Sequence, residues 1–353
     1  MPAISDTVEY NSLLTSTLNN VRPILYDGIF KNSAFWAKLH LNGRKQMEEG
    51  GARIQRSIEY ALNGTSGSYD GYDELDLTPQ DTNTVSLWDW KENATSIVIS
   101  RREERINSGK AAIHNLLTSK INNAQSSFSE FLSKSVLNPD DFTTPDNGGK
   151  SLTPLTQLIP LAANTVGGIS ASTNAWWDVK RDKAVATSAA YQSYVGFKGE
   201  LRSFYNEVGK GTGGFPDMVL AGQLAYEKYE EALEGQVRYG STEMANLGFE
   251  TIRLKGAEVM WDEIVPGTTN DGAAYAAFDT ADEQCMFFLN SDFISLVVDS
   301  QTDMVNRPFM ESDNQTAKSA LVLFMAELLC TNRRKQGVFY GLQTTQVNEA
   351  GAA

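Results

Sequence analysis

Apolar positions between Met1 and about Gly50 are scattered (Val8, Leu13, Leu14, Leu18, Val21, Ile24, Leu25, Phe30, Phe35, Trp36) and hold no sustained period. Such a stretch reads as an arm with short helical pieces that needs a surface to lie on. Gly50-Gly51 punctuates the chain, and Ile54, Ile58, Tyr60 and Leu62 then share one parity, interrupted by Arg56. That predicts a half-buried strand over residues 52–62. Residues 63–81, NGTSGSYDGYDELDLTPQD, hold three Gly, one Pro and five acidic residues with no Lys or Arg, which marks a loop or ribbon tip. A return strand over 82–100 alternates first at Val85 and Leu87, later at Ile97 and Ile99, and is rich in β-branched and aromatic residues. The pair forms a long antiparallel ribbon, which is marginal in water without support from another chain or domain.

The next period is helical. Ser100 and Glu103 match a capping box, and Ile106, Ile113, Leu117, Ile121, Ala124, Phe128 and Phe131/Leu132 recur at spacings of three, four and seven. One amphipathic helix running to about Lys134 would extend about 50 Å at ~1.5 Å per residue, with Gly109 its weak point. Asn138-Pro139-Asp140 stops it, and a Gly/Thr/Pro/Asp-rich loop runs to Pro154. Mixed α and β patterns follow: helices over 191–208 and 223–239, short strands over 218–221, 250–254, 258–261 and 286–289, and a turn at Lys255-Gly256. The end reads as two strands, 319–329 and 338–342, joined by the basic turn Asn332-Arg333-Arg334-Lys335-Gln336-Gly337.

Composition narrows the class. With 353 residues, 41% hydrophobic and 21% charged, the chain can bury about three quarters of its unfolded surface, enough for two ordinary domains or one elaborated one. No apolar run approaches the roughly 20 residues of a membrane span, and the longest, Leu321–Leu329, is broken by Glu327. Two cysteines, Cys285 and Cys330, exclude a disulfide framework and fit a reducing cytoplasmic birthplace. Thirty basic against forty-four acidic residues leave a net charge of −14, which argues against gripping nucleic acid and suits a container wall that lets it pass.

Candidate chemistry is sparse. Gly209, Gly211 and Gly214 satisfy G-x-G-x-x-G, but a helical stretch precedes them and a strand follows, the reverse of a phosphate cradle, and no G-K-[ST] makes Lys210 a Walker lysine. His40 and His114 lack partners at metal-ligand spacing, so no catalytic, cofactor or metal residues are assigned. Asp70, Asp73, Glu74, Asp76 and Asp81 miss the calcium-loop spacing and are either solvated or matched by basic groups elsewhere. Basic groups cluster at Arg101, Arg102 and Arg105 and at Arg333, Arg334 and Lys335, while Trp88 and Trp90, like Trp176-Trp177, read as subunit-interface aromatics rather than a ligand platform.

Five segments carry a family resemblance. GGARIQRSIEYALNGTSGSYDGYDELDLTPQD resembles the extended loop of tailed-bacteriophage major capsid proteins with the Hong Kong 97 fold, and LWDWKENATSIVISRREERINSGKAAIHNLL resembles its return strand entering the spine helix. VGGISASTNAWW and FPDMVLAGQLAYEKYEEAL are similar to axial-domain sequences, and SALVLFMAELLCTNRRKQGVFYGL to the closing strands of the peripheral domain. The resemblance implies an α+β capsid fold. Residues 1–50 would be the N-terminal arm, 51–99 the extended β-ribbon loop, and 100–165 with 307–343 the peripheral domain with a spine helix over 101–134. Residues 166–306 would be the axial domain and 344–353 a C-terminal tail.

It further implies a structural subunit, not an enzyme, that builds pentamers and hexamers of an icosahedral head around double-stranded DNA. Assembly would take place in the host cytoplasm and the mature location would be the virion; no membrane is involved. Portal, scaffolding and decoration proteins are the implied further partners. In the family the extended loop lies across a neighbour's peripheral domain, where both basic clusters would fall. Two features do not carry over: no long scaffolding segment precedes the arm, and no self-crosslinking Lys and Asn pair is matched. A bacterial nanocompartment shell of the same fold and a carboxylate-dependent hydrolase are the competing readings.

Overall fold

The computed structural model describes residues 33–106, 110–137, 149–184, 194–233, 252–268, 275–276, 283–312 and 315–342. In chain order the strands are β1 (Lys45–Glu48), β2 (Ile54–Glu59), β3 (Asn83–Trp88), β4 (Lys91–Ser100), β5 (Thr165–Val166), β6 (Ile169–Ser170), β7 (Lys180–Lys183), β8 (Met218–Ala221) and β9 (Ile252–Leu254). There follow β10 (Ala257–Trp261), β11 (Gly267–Thr268), β12 (Tyr275–Ala276), β13 (Gln284–Leu289), β14 (Ile294–Asp299), β15 (Val305–Ser312), β16 (Gln315–Cys330) and β17 (Gly337–Leu342). The helices are α1 (Ala34–Leu41), α2 (Arg101–Ile106), α3 (Lys110–Leu137), α4 (Leu155–Leu158), α5 (Tyr194–Gly209) and α6 (Gln223–Ala232).

The long strand β16 organises one sheet: β4 runs antiparallel along one side of it, β15 and β14 pair along the other, and β1 adds in parallel to β14. Ala320, Val322 and Phe324 on β16 and Ile97 and Ile99 on β4 are buried, as are Ile121, Phe128 and Leu132 on α3. Phe128 meets Phe324 edge-on at 6.4 Å, so the helix packs on the terminal strand as its period predicts. The capping box forms: the Ser100 N–H donates to Glu103 Oε2 at 3.1 Å and the Glu103 N–H to Ser100 Oγ at 3.2 Å. Lys120 on α3 reaches the same carboxylate at 2.8 Å and the Val98 carbonyl at 2.9 Å, stapling helix to strand. Gly109 and the side chains of Ile113 and Leu117 lie outside the described residues.

The second sheet runs β7-β17-β13-β8-β10-β9 and is covered on both faces. Met218, Leu220, Phe287 and Leu289 face the core shared with the first sheet. Val219, Ala221, Met286 and Phe288 face a second core with Phe197, Leu201, Phe204 and Tyr229 of α5 and α6. Strands buried on both faces read as continuous apolar runs, which is why β8 and β13 are visible in the sequence without alternation.

The two terminal strands are joined by the basic turn as expected, and β17 pairs with β13 and β7, so the 333–335 turn carries the chain from one sheet into the other. β14, ahead of the boundary drawn at residue 306, pairs with β16 in the first sheet. The arm is also less uncommitted than its scattered apolar residues suggest. Helix α1 buries Phe35, Trp36, Ala37 and Leu39, while Ser33 donates to Asp262 (2.7 Å), Lys38 to Glu258 (2.7 Å), Asn42 to Asp217 (3.1 Å) and Lys45 to Asp303 (2.8 Å). Residues 33–48 thus lie across carboxylates drawn from both sheets; residues 1–32 of the expected arm lie outside the described residues.

Glu327, mid-strand in β16, is only 1% exposed. The Thr153 and Leu328 N–H groups donate to its Oε1 at 2.9 and 3.1 Å, and Oε2 has no hydrogen-bond partner among the described residues. Burial pushes its pKa up to about 7 against these hydrogen bonds and the nearby charge of Lys91. A raised folded-state pKa means the folded chain binds more protons than the unfolded one between about pH 4.5 and 7, so stability falls as pH rises through that window. Glu327→Gln is expected to remove that slope, gaining up to about 3 kcal/mol over the native chain above pH 7.5 and little at pH 4.5, read from urea unfolding of unassembled subunit. Phe128→Ala is expected to lower stability by about 3–5 kcal/mol in the same assay. An unchanged unfolding midpoint would contradict the packing of α3 on β16.

Candidate assembly surface

The ribbon is built at its root and bare at its tip. β2 and β3 pair from Ile54↔Trp88 to Glu59↔Asn83, and the return strand breaks at Asp89-Trp90 before β4 joins the first sheet. The β5–β6 hairpin braces the root: the Leu87 N–H donates to the Gly167 carbonyl at 2.9 Å. A Cβ on Gly167 would meet Ser86 and the Trp88 ring at 3.1 and 3.2 Å, and its φ of +61° already excludes most side chains. Tyr60 stacks on Trp176 at 5.0 Å, and the neighbouring Trp177 Nε1 donates to the Val166 carbonyl.

Beyond the root, residues 63–81 form no strand and are exposed almost throughout. Asp70, Asp73, Glu74, Asp76 and Asp81 all point to solvent. Their hydrogen bonds shape the loop itself: Asp73 accepts from the Asp70 N–H at 2.9 Å and Asp76 from the Thr78 N–H and hydroxyl at 3.0 and 2.6 Å. Those bonds from Thr78 hold the Asp76 carboxyl below the usual range. Beside and between the acids stand Tyr69, Tyr72, Leu75 and Leu77, large apolar side chains exposed by 59% or more, with Tyr72 fully open. Nothing in the charge pattern assigns these four a role, although their spacing among acids at a loop tip is a signal visible in the sequence.

The basic candidates divide. Arg101 and Arg102 are exposed, and the Arg105 side chain lies outside the described residues. The terminal turn is corrected: Arg333 and Lys335 are buried inside the subunit and offer no charge to a neighbour. Arg333 Nε donates to the Leu158 carbonyl at 2.9 Å and its Nη2 to Asn164 at 2.7 Å, with the guanidinium 5.8 Å from the Trp177 ring centre. Burial brings its pKa down to about 10. Lys335 Nζ donates to the carbonyls of Gly209, Lys210, Gly211 and Gly214 at 3.0–3.2 Å. The G-x-G-x-x-G stretch therefore turns carbonyls toward a cation, the opposite polarity to a phosphate cradle. Of the turn, Arg334 alone is exposed.

Trp88 is also corrected, since it is buried within its own chain with its Nε1 on Ser86 Oγ at 3.1 Å; Trp90 is half-buried and donates to the Gly51 carbonyl at 3.1 Å. Among the described residues no group of three His, Cys, Asp or Glu side chains is placed to hold a metal ion, and no described helix is long and apolar enough to cross a membrane.

No protein-family model matches the chain, and no curated protein matches it in sequence. Solved structures do. The cyanophage A-1(L) capsid asymmetric unit superposes with a TM-score of 0.56 at 14% identity, covering 86% of this chain and 90% of that one. This is a Hong Kong 97-like capsid fold. The capsid of Myoviridae phage XM1 gives a TM-score of 0.50 at 10% identity, over 86% of this chain and 91% of that one. The holo-SrpI encapsulin complex from Synechococcus elongatus PCC 7942 gives 0.49 at 12% identity, over 88% and 89%.

Lys335→Met keeps the side chain's length and removes its donors. It is expected to cost about 1–3 kcal/mol and to raise amide exchange selectively at residues 209–214; unchanged exchange there would show that the ammonium does not hold the loop.

Proposed function

We propose that this chain is a major capsid subunit that assembles with copies of itself into pentamers and hexamers of a tailed-phage icosahedral head, enclosing double-stranded DNA without sequence-specific contacts. The observation that carries the reading is the ribbon loop, which exposes Tyr69, Tyr72, Leu75 and Leu77 on an element that, among the described residues, is braced at its root. Surface of this kind on a projecting element is what a neighbouring copy covers. The fold shared with capsid structures supports it, and the net charge of −14 suits a wall that does not hold its contents. In this reading the subunit assembles in the host cytoplasm and ends in the virion, with portal, scaffolding and decoration proteins as further partners.

Negative-stain microscopy and light scattering of the overexpressed chain are expected to show capsomers or closed shells, with a scaffolding partner where one is needed. A strictly monomeric profile at high concentration under both conditions would overturn the reading. Shells that close around protein cargo would instead identify a nanocompartment.

The exposed acids of the loop meet basic groups of a neighbour, the remaining candidates being Arg101, Arg102 and Arg334. Asp73→Lys with Asp76→Lys is expected to raise the assembly concentration several-fold at low salt, whereas the Asn replacements, which keep the turn-forming acceptors, fall between that pair and the native chain. Reversing Arg101, Arg102 and Arg334 as well should restore part of the loss. Assembly of the Lys pair indistinguishable from the native chain at both low and high salt would remove the charge contact.

A further inference from the structure

The sequence holds three Asn-Gly pairs, and two of them lie among the described residues in opposite surroundings. In Asn42-Gly43 the side-chain amide is committed through its nitrogen, Asn42 Nδ2 donating to Asp217 Oδ2 at 3.1 Å and to Ser291 Oγ at 2.8 Å. The Gly43 N–H is committed as well, donating to the His40 carbonyl at 3.0 Å. Asn63-Gly64, just past β2 where the ribbon loop begins, is exposed. Its side-chain amide is held by the oxygen instead: the Thr65 N–H and hydroxyl donate to Asn63 Oδ1 at 3.0 and 2.7 Å. Asn63 Nδ2 and the Gly64 N–H make no hydrogen bond among the described residues. An open recess of about 400 Å³, lined by Asn63, Thr65, Glu59, Asp76 and Gln80 among others, gives solvent access to the pair.

We infer that Asn63 is a site of self-modification, at which the Gly64 backbone nitrogen attacks the Asn63 side-chain amide and the amide becomes an acid. Water takes the Gly64 N–H proton as the nitrogen bonds to Asn63 Cγ. The negative charge of the tetrahedral intermediate gathers on Oδ1, where both Thr65 donors already point, an arrangement of the oxyanion-hole kind. Collapse breaks the Cγ–Nδ2 bond and, with a proton returned from water, releases ammonia and leaves a cyclic succinimide. A further water then adds to either ring carbonyl. Opening at Cγ gives an aspartyl residue at position 63, and opening at the backbone carbonyl gives an isoaspartyl residue there. The balance is amide plus water to acid plus ammonia, with no oxidant, reductant or cofactor. Glycine permits the approach because no Cβ shields the attacking nitrogen. In Asn42-Gly43 the fold ties down both the nucleophile and the leaving nitrogen, so the same dipeptide is protected. Each conversion adds a negative charge at neutral pH to a loop that holds five acids and no base, so the loop's charge records the age of the chain. The inference goes beyond the shell reading and does not depend on it.

The full-length folded chain is incubated in mildly alkaline buffer, and amide-to-acid conversion is followed by mass spectrometry of tryptic peptides. Trypsin separates the two sites, since no Lys or Arg lies between Arg56 and Lys91 and Asn42 falls in the peptide Leu39–Arg44. An Asn63→Asp chain supplies the aspartyl standard, against which the isoaspartyl peptide shows a shifted retention. Asn63 is expected to convert at least about tenfold faster than Asn42 in the folded chain, and in urea the gap closes because Asn42 is released. Gly64→Ala is expected to slow conversion several-fold. The residue's φ lies outside the left-handed region and an added Cβ would sit 3.7 Å from Gln80 Oε1, an ordinary contact, so the loop keeps its shape. Thr65→Val, which removes the hydroxyl donor, is also expected to slow it. Equal rates at Asn63 and Asn42 in the folded chain would overturn the inference, as would conversion of Asn63 that is slower in the folded chain than in urea. A Thr65→Val chain that converts faster than the native one would overturn it too, because Thr65 would then restrain the amide rather than polarise it.

Discussion

Four backbone carbonyls converge on the ammonium of Lys335, and one residue away in the same turn Arg333 is packed against Trp177 and the end of α4. Burying two cations is costly unless their donors are used: the Lys335 ammonium meets carbonyls at and just beyond the C-terminal end of α5, where a positive charge also suits the helix dipole, and Arg333 uses Nε and Nη2 while its Nη1 has no hydrogen-bond partner among the described residues. Much else in the subunit follows from this turn. It carries the chain out of β16 in the first sheet and into β17 in the second, so both sheets and the α5 terminus are referred to one point. Arg333, through Asn164 and Trp177, ties the same point to the β5–β6 region that braces the ribbon.

The ribbon is therefore braced where it leaves the body, while the described bonds of its tip are those within the loop. Tyr60 on Trp176 and Trp88 against Gly167 fix its direction, while the tip is shaped only by short aspartate turns. An element braced at its root holds its direction with little further ordering, which lowers the entropic cost of any contact its tip makes.

Local rules recovered what they govern. The capping box at Ser100 and Glu103 and the period through Ile121, Ala124 and Phe128 depend on residues within a few positions, and both stand in the structure as the sequence predicts. Strands β8 and β13 were visible as apolar runs because both faces are buried. The pairing of β17 was hidden, since its partners β13 and β7 lie far away in the chain and a strand followed by a turn and a strand imitates a hairpin. The basic triplet 333–335 misled for a related reason. Adjacent charges read as solvated, and nothing near them in sequence announces carbonyls 121–126 residues distant. Helix α1 is one of the short helical pieces expected in the arm, but its bounds were not legible because it is buried on most sides, leaving no polar stripe to set a period.

The acidic excess also sorts by place. Asp217, Glu258, Asp262, Asp299 and Asp303 receive donors from residues 33–50 and are spent inside the subunit, whereas Asp70, Asp73, Glu74, Asp76 and Asp81 remain on the loop. Salt acts on the two sets in opposite senses. It weakens the partly exposed attraction of the arm to its carboxylates, yet it relaxes the mutual repulsion along the loop, which has no internal counter-charge. At low salt the like charges of the loop therefore repel one another along a tip that carries no base, and that repulsion opposes any grouping of such loops side by side, while added salt relaxes it.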